Sequence, residues 1–529
     1  MPLRRPDAIS SASAAAATDA TAAASVRGIA WPMLFATLAG AASLFSFAPF
    51  GAWPLQFPLL AFLFYQVGIS TSVRRASLIG WAFGLGWSVA GMHWLYIAMH
   101  RFGGLAAPLA ALAILLLGAY MGLFAACATG FAAWLRRRWS MPVAAFLMLC
   151  LPATWGLSEW LRGWVFTGFP WAASGYAHHA SPLSGFAPLI GVYGIGVLVA
   201  LCGACLTMLT QRARWPALAL LCALLLAGFG LTYIDWTRPH GAPISVRLLQ
   251  GNVAQEEKFD SAHVEQALSL YRAMITAAPA DLIATPETAI VLYPHQLPPD
   301  YLAGLARFAH DSGSSLLVGM PLTDGPTQFS NSVAGIGPTK QAYRFDKQHL
   351  VPFGEFVPAG FRWFVDLMQI PLGDFNRGAR IQPAFAVRDQ RVLPNICYED
   401  AFGEEIAEQL RVAQPATILL NMSNLAWYGE SVAIPQHLQI SRMRSLETGR
   451  PMLRSTNSGA TAVIDAHGAV TALLAPYTRG VLAATVQGMA GSTPYIRFGN
   501  ALFLALAALA LAAAWFCGRK VRRAAVKTP

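Results

Sequence analysis

The sequence predicts an integral membrane α-helical bundle that carries one α/β domain outside the bilayer. Three observations lead there. Of the 529 residues, 55% are hydrophobic and only 12% are charged, about half the charged share of an ordinary soluble domain. The apolar residues gather into eight runs of the length that a bilayer crossing needs, about 20 residues. The remaining charges concentrate in one long stretch, 242–490, where short strand-like runs alternate with helical ones.

Taken in order, residues 1–27 are rich in Ala, Ser and Thr with Arg4 and Arg5. They read as a disordered cytoplasmic tail. A cleaved signal peptide is the weaker reading, because the first apolar run is long and a second follows within a few residues. The runs lie near 28–48, 53–70, 77–98, 104–134, 141–160, 186–209, 216–235 and 496–518. Arg74 and Arg75 follow the second, Arg136 to Arg138 the fourth, Arg212 and Arg214 the sixth, and Arg519, Lys520, Arg522 and Arg523 the last. The other exits carry little beyond Arg101 and Arg162. Basic loops stay inside, so both termini face the cytoplasm and 242–490 faces outward. The organisation expected is a membrane half at 28–241, an outward α/β domain at 242–490, and a final span with a basic tail at 491–529. This pattern also accounts for the +11 net charge without a nucleic-acid partner. No His/Cys cluster has zinc spacing, so no metal is expected; His178-His179 reads as a loop.

Within the outward stretch, 244–252, 280–287, 314–320, 392–399, 416–424 and 461–465 read as strands, several apolar throughout and therefore buried on both faces. Segments near 261–277, 297–311, 403–413 and 434–448 read as helices. A stretch of this length can bury a real core.

Six of the seven cysteines sit in apolar runs; only Cys397 lies in the polar part of the chain. It has no second thiol nearby for a disulfide. It is either a buried structural thiol or a nucleophile presented at a strand end. A nucleophilic thiol needs a base and a positive neighbour. "ATPETAI" places Glu287 after an apolar strand, and "YRFDKQHLVPFGEFVP" places Lys347 among Phe345, Leu350, Val351 and Phe353, with Glu355 eight residues on.

Those residues carry a resemblance. A Glu after a strand, a Lys in "KQHLVPFGE" and a Cys in "ICYE" resemble the Glu-Lys-Cys site of the nitrilase (carbon-nitrogen hydrolase) superfamily. "TGFPWAASGY", "NMSNLAWYGES" and "QHLQISRMRSLETGRPMLRSTNSGATAVID" resemble, within it, the apolipoprotein N-acyltransferase family over about residues 28–520. The sequence departs from that family's pattern at Phe259 and Thr285, where a Trp is usual, and at Leu425, where an acid is usual.

The resemblance implies a nitrilase-like αββα sandwich on about eight membrane helices, and a ping-pong acyl transfer. The donor would be the sn-1 ester of a phospholipid such as phosphatidylethanolamine. The acceptor would be the α-amine of S-diacylglyceryl-cysteine on an apolipoprotein, in the bacterial inner membrane. Cys397 would be the nucleophile and Glu287 the general base. Lys347 would stabilise the oxyanion and lower the thiol pKa. The backbone N–H of Tyr398 would be a second oxyanion donor. Glu355 would orient Lys347 and Glu287, and Glu399 would hold the loop or the amine. Trp427 and Tyr428 are either a lipid-contacting seal or core packing. Trp164, Phe166, Phe169 and Trp171 suit the headgroup interface, and Glu159 and Arg162 are expected to pair with each other. Acyl transfer from an ester implies no cofactor. Two rivals remain: a membrane-tethered amidase or nitrilase using the same triad, and a non-catalytic assembly protein on an inactive fold.

Overall fold

The computed structural model describes residues 28–211, 213–258, 260–325, 328–339, 342–358, 360–362, 374–412 and 415–527. The predicted tail at 1–27 and Phe259 lie outside them. Helices occupy all eight predicted apolar runs. Six are long and apolar enough to cross a membrane: Gly28–Ser46, Ala107–Trp139, Val143–Arg162, Pro182–Met208, Arg214–Leu231 and Ala501–Arg523. The other two, Gln56–Gly68 with 13 residues and Val73–Met92, do not combine the length and the apolar composition of the six.

Local chemistry sets the ends of these helices. The Ser72 hydroxyl accepts from Arg75 N at 3.1 Å and caps Val73–Met92. Ala107–Trp139 ends in Arg136, Arg137 and Arg138 before Ser140 at φ 52°, cations where the helix dipole favours them. Arg136 also donates to Gly68 O at 2.7 Å, closing the end of Gln56–Gly68. Val73–Met92 and Ala107–Trp139 approach through small residues. A Cβ at Gly84 would lie 2.9 Å from Gly122 Cα, the close contact that helix packing in lipid exploits.

Among the described residues outside the membrane half there are fourteen strands: β1 Thr237–Pro239, β2 Ile244–Gln250, β3 Leu282–Ala284, β4 Ser315–Gly325, β5 Gln328–Ile336, β6 Ala342–Asp346, β7 Phe385–Val387, β8 Gln390–Ile396, β9 Ile418–Ser423, β10 Met452–Thr456, β11 Ala462–Ile464, β12 Val470–Leu473, β13 Gly480–Val486 and β14 Met489–Gly491. Two six-stranded sheets run β13-β2-β3-β4-β5-β6 and β12-β11-β10-β9-β8-β7. One apolar cluster joins Leu248, Leu317 and Val333 of the first sheet to Val392, Leu420 and Leu453 of the second. Another packs Leu268 and Ile275 of Ser261–Thr276 and Leu305 of Tyr301–Ser312 against Ile283, Leu316 and Val318. With Gly403–Val412 and Ala433–Thr448, the layers are helices, sheet, sheet, helices, the αββα order expected.

Strands β2, β3 and β4 are parallel, as are β8, β9 and β10. Ligand sites of parallel sheets gather at the carboxyl ends of the strands. Glu287 follows β3, Lys347 follows β6, Cys397 follows β8, Asn424 follows β9 and Asn457 follows β10.

The 167–176 segment ties the membrane half to this end of the sandwich. Tyr398 Oη donates to Gly168 O at 3.0 Å, Trp171 Nε1 to Gln436 Oε1 at 2.7 Å and Tyr176 Oη to Ala401 O at 3.0 Å. His349 Nε2 lies 2.8 Å from Thr167 O. The four aromatics predicted for the headgroup interface therefore divide. Trp164 and Phe166 are exposed, whereas Trp171 is buried and Phe169 stacks on Tyr398 at 5.9 Å.

Candidate active site

The centre of the site is one ammonium between two carboxylates. Lys347 Nζ donates to Glu287 Oε1 at 3.1 Å and to Glu355 Oε1 at 2.8 Å. Asn331 Nδ2 donates to the same two oxygens, 2.8 Å each. The remaining oxygens are also used: Glu287 Oε2 accepts from Asn424 N at 3.0 Å, and Glu355 Oε2 from Val351 N at 2.8 Å. All four side chains are buried. Burial pushes the Glu287 carboxyl up, but the Lys347 charge, the Asn331 hydrogen bond and the Lys258 charge together hold it below the usual range. The same pairing raises Lys347 well above an ordinary lysine against the opposing effect of burial. At neutral pH the site therefore holds an ionised base and a protonated lysine.

Cys397 opens the 3₁₀ turn Cys397–Ala401 just past β8. The predicted strand to residue 399 stops at Ile396, because Cys397 takes φ 53°, the left-handed region that non-glycine residues rarely adopt. Its carbonyl accepts from Asn421 Nδ2 at 3.1 Å and from His437 Nε2 at 3.2 Å. Its half-buried thiol lies within the field of the Glu287 carboxylate and the Lys347 ammonium. Burial raises the thiol pKa, the Glu287 charge raises it further, and Lys347 lowers it by less than these together. Lys347 thus lowers the thiol pKa as expected, but burial and the Glu287 charge outweigh it, and on balance the thiol is pushed up and rests protonated beside an ionised carboxylate.

Glu399 holds the two halves of the site together. Its Oε1 accepts from Gln348 N at 2.6 Å and His349 N at 3.1 Å, and its Oε2 from Ile396 N at 2.6 Å. It joins the loop after Lys347 to the turn before Cys397. Behind the nucleophile, Arg454 Nη2 approaches His437 Nδ1 at 3.0 Å. Arg454 can only donate, so His437 is neutral and its Nε2–H points at the Cys397 carbonyl. Arg454 also pairs with the fully buried Asp400 at 3.2 Å. Trp171 stacks on His437 at 5.7 Å.

Sequence reasoning missed Asn331, Asn424, His437 and the buried Lys258. Each sits far along the chain from the group it touches, and no local pattern in the sequence marks it. Trp427 is exposed and meets Phe102 edge-on at 5.7 Å, while Tyr428 is half-buried against Trp94 at 4.5 Å. The pair thus lies where the two halves of the chain meet. Thr285 is buried and accepts from Gly319 N at 2.9 Å, and Leu425 packs with Ile434 and Ala460. Glu159 is held by Ser174, from N at 2.8 Å and from Oγ at 2.6 Å. No ion pair to Arg162 occurs within 4.0 Å among the described residues.

A two-layered sandwich with a thiol, a carboxylate and an ammonium at its strand ends, set on a membrane base, defines a membrane-bound member of the carbon-nitrogen hydrolase superfamily. The carbon-nitrogen hydrolase family profile matches residues 245–495, and that of the apolipoprotein N-acyltransferase N-terminal domain matches 39–205. The apolipoprotein N-acyltransferase of Ralstonia nicotianae is 48% identical over 485 residues, covering 90% of this chain and 92% of that protein. That of Bordetella bronchiseptica is 45% identical over 542 residues, covering 94% and 99%. Among solved structures, the CN-hydrolase superfamily protein XC1258 of Xanthomonas campestris is 17% identical, covers 50% of this chain and 97% of its own, and superposes with a TM-score of 0.37. The chain belongs to the apolipoprotein N-acyltransferase family; it is an acyltransferase of a bacterial membrane.

Proposed function

We propose that this chain transfers the sn-1 acyl chain of a phospholipid, phosphatidylethanolamine foremost, through a thioester on Cys397 to the α-amine of S-diacylglyceryl-cysteine on an apolipoprotein. The observation that carries the reading is a protonated Cys397 thiol under the influence of a buried Glu287 carboxylate that Lys347, at 3.1 Å, keeps ionised. Glu287 takes the thiol proton as sulfur attacks the ester carbonyl. Lys347 and the Tyr398 N–H, in a 3₁₀ first turn whose N–H groups lack partners inside the helix, bind the developing oxyanion. The tetrahedral adduct collapses, Glu287 returns the proton to the leaving glycerol oxygen, and lysophospholipid departs. Glu287 then takes a proton from the incoming amine. The amine attacks the thioester, the amide forms, and Cys397 regains its proton.

Both substrates are lipids, which suits a site whose floor, at Gly168 and Trp171, belongs to the membrane half. Trp427 and Tyr428, at the junction of the halves, contact acyl chains and exclude water. The catalytic domain at 242–490 lies in the periplasm, carried by an inner-membrane half at 28–241 and a last span at 491–529. Both termini are cytoplasmic, on the side of the Arg136–Arg138 cluster.

The test uses phosphatidylethanolamine labelled in either the sn-1 or the sn-2 chain, in mixed micelles with a diacylglyceryl-cysteine peptide. Amide product carrying the sn-1 label supports the reading. Turnover of small amides or nitriles with no labelled peptide would replace it with a tethered amidase.

A further inference from the structure

We infer that Lys258 is a positioning residue for Glu287. From the 251–258 loop its ammonium grips the Glu287 carbonyl and the Thr288 hydroxyl, and so fixes the turn that aims the Glu287 carboxylate at the Cys397 thiol. The inference rests on the proposed reading of Glu287 as the base.

Lys258 is buried, and its Nζ donates to Glu287 O at 3.2 Å and to Thr288 Oγ1 at 2.6 Å. No carboxylate lies within ion-pair distance of it among the described residues. A buried ammonium without a paired anion is expensive, so its place needs a reason other than stability. The turn it grips supplies one. Thr288 sits at φ 45°, a left-handed conformation that a β-branched residue adopts only where its surroundings hold it there. Behind the turn, a Cβ at Gly319 would meet Pro286 O at 2.2 Å and Glu287 Cα at 3.0 Å. The turn is therefore boxed between β4 on one side and the Lys258 ammonium on the other.

The loop does not need Lys258 to hold its shape. Asn457 Nδ2 donates to Val253 O at 2.8 Å, Val253 N donates to Asn457 Oδ1 at 3.0 Å, and Gln255 Oε1 accepts from Asn424 Nδ2 at 2.8 Å. What Lys258 adds is a charge and two directed bonds at the backbone of the base. Burial pushes its ammonium down to about 8, with the charges of Glu287 and Cys397 pulling the other way. The titratable groups around the site are Glu287, Lys347 and Glu355, which are charged, and the Cys397 thiol, which rests protonated. A displacement of a reacting group by about 1 Å can cost on the order of 10²-fold.

The test is single-turnover acylation of full-length enzyme with labelled phosphatidylethanolamine, as a function of pH, for Lys258→Met, Lys258→Arg, Glu287→Gln and the Lys258→Met/Glu287→Gln pair, each checked by thermal unfolding. Lys258→Met should acylate 10- to 100-fold more slowly at neutral pH, with the acid limb of its profile moved to higher pH. Lys258→Arg should recover most of the rate, and Lys258→Met should add little to the loss in Glu287→Gln. Acylation by Lys258→Met within twofold of wild type on an unmoved limb would overturn the inference, and so would losses that multiply in the double variant. Glu287→Gln acylating at the wild-type rate would instead remove the base reading, and this inference with it. If Lys258→Met does not fold, Thr288→Val removes the hydroxyl alone; a loss of threefold or more supports the inference, and a smaller one overturns it.

Discussion

Lys347→Met keeps most of a buried side chain's volume and removes its charge from between two carboxylates. The ammonium lies 3.1 Å from Glu287 Oε1 and 2.8 Å from Glu355 Oε1. At an effective dielectric of about 20, each contact is a gross attraction of about 5 kcal/mol, much of it offset by desolvation. Breaking a buried pair from one side leaves a net loss of about 3–5 kcal/mol. Without the cation, two buried carboxylates share only the Asn331 amide at 2.8 Å each, and one of them takes up a proton. The sign of the pH dependence then reverses. In wild type the folded-state pKa of Glu287 is depressed, so its contribution to stability is present above the unfolded value near ~4.3 and is lost as pH falls through the depressed value. In Lys347→Met the protonated carboxyl has a raised folded-state pKa. Its contribution is fully present below the unfolded value and is lost as pH rises through the raised one. Unfolding followed by tryptophan fluorescence should therefore show a gap of about 3–5 kcal/mol at pH ~7 that narrows towards pH ~5. Acylation should fall by on the order of 10²–10³, the typical loss for one oxyanion donor. A variant within about 1 kcal/mol of wild type, with a gap that acidification does not change and acylation within tenfold, would refute this reasoning.

Four further outcomes follow from the same geometry. Cys397→Ala should fold with a change of about 1 kcal/mol or less, since its carbonyl contacts to Asn421 and His437 remain, and should form no acyl adduct by mass spectrometry. Glu399→Gln should lose activity and about 1–3 kcal/mol or more. Both Glu399 oxygens accept backbone N–H groups, and the new amide would face a donor with a donor; refolding and acylation assays check this. Arg454→Met should cost about 3–5 kcal/mol by stranding the buried Asp400 carboxylate, and adding Asp400→Asn should restore part of that in chemical unfolding. Burial lifts the Glu399 carboxyl to about 7, while Glu287 stays ionised below the ordinary glutamate range. The single-turnover acylation rate should therefore fall as pH drops below ~7, with the protonation of Glu399 and not with that of Glu287; a rate unchanged between pH ~7 and ~5 would contradict this.

The apolar strands were legible because β2, β4 and β9 are rich in Val, Leu and Ile, and their helices followed from the alternation. Of the strands that sequence reasoning missed, the one that bears on the site is polar where it is buried. β5, "QFSNSVAGI", hides Ser330, Asn331 and Ser332, and a run of that composition reads as a loop. Its polarity is the site, since Asn331 spans Glu287 and Glu355. Cys397 stood out as the lone thiol of the polar half, whereas a Glu after a strand and a Lys among aromatics are common, and Glu287 and Lys347 needed the family resemblance. His437 and Lys258 touch partners 40 and 29 residues away, distances at which no local pattern operates. The lowering of the thiol pKa by Lys347 was legible from their pairing, but the larger opposing effects of burial and the Glu287 charge are ranked only by the folded geometry. In the membrane half, composition located the apolar runs, but Gln56–Gly68 with 13 residues shows that an apolar run and a full-length span are different things.

The central claim is that Cys397 carries the acyl chain between two lipids. The direct measurement is intact-protein and peptide mass spectrometry of purified enzyme incubated with acyl-labelled phosphatidylethanolamine and no acceptor. The account predicts one hydroxylamine-labile acyl group on Cys397, with one equivalent of lysophospholipid released, and its conversion to amide when diacylglyceryl-cysteine peptide is added. Amide product formed with no adduct on Cys397, or formed equally well by Cys397→Ala, would contradict it.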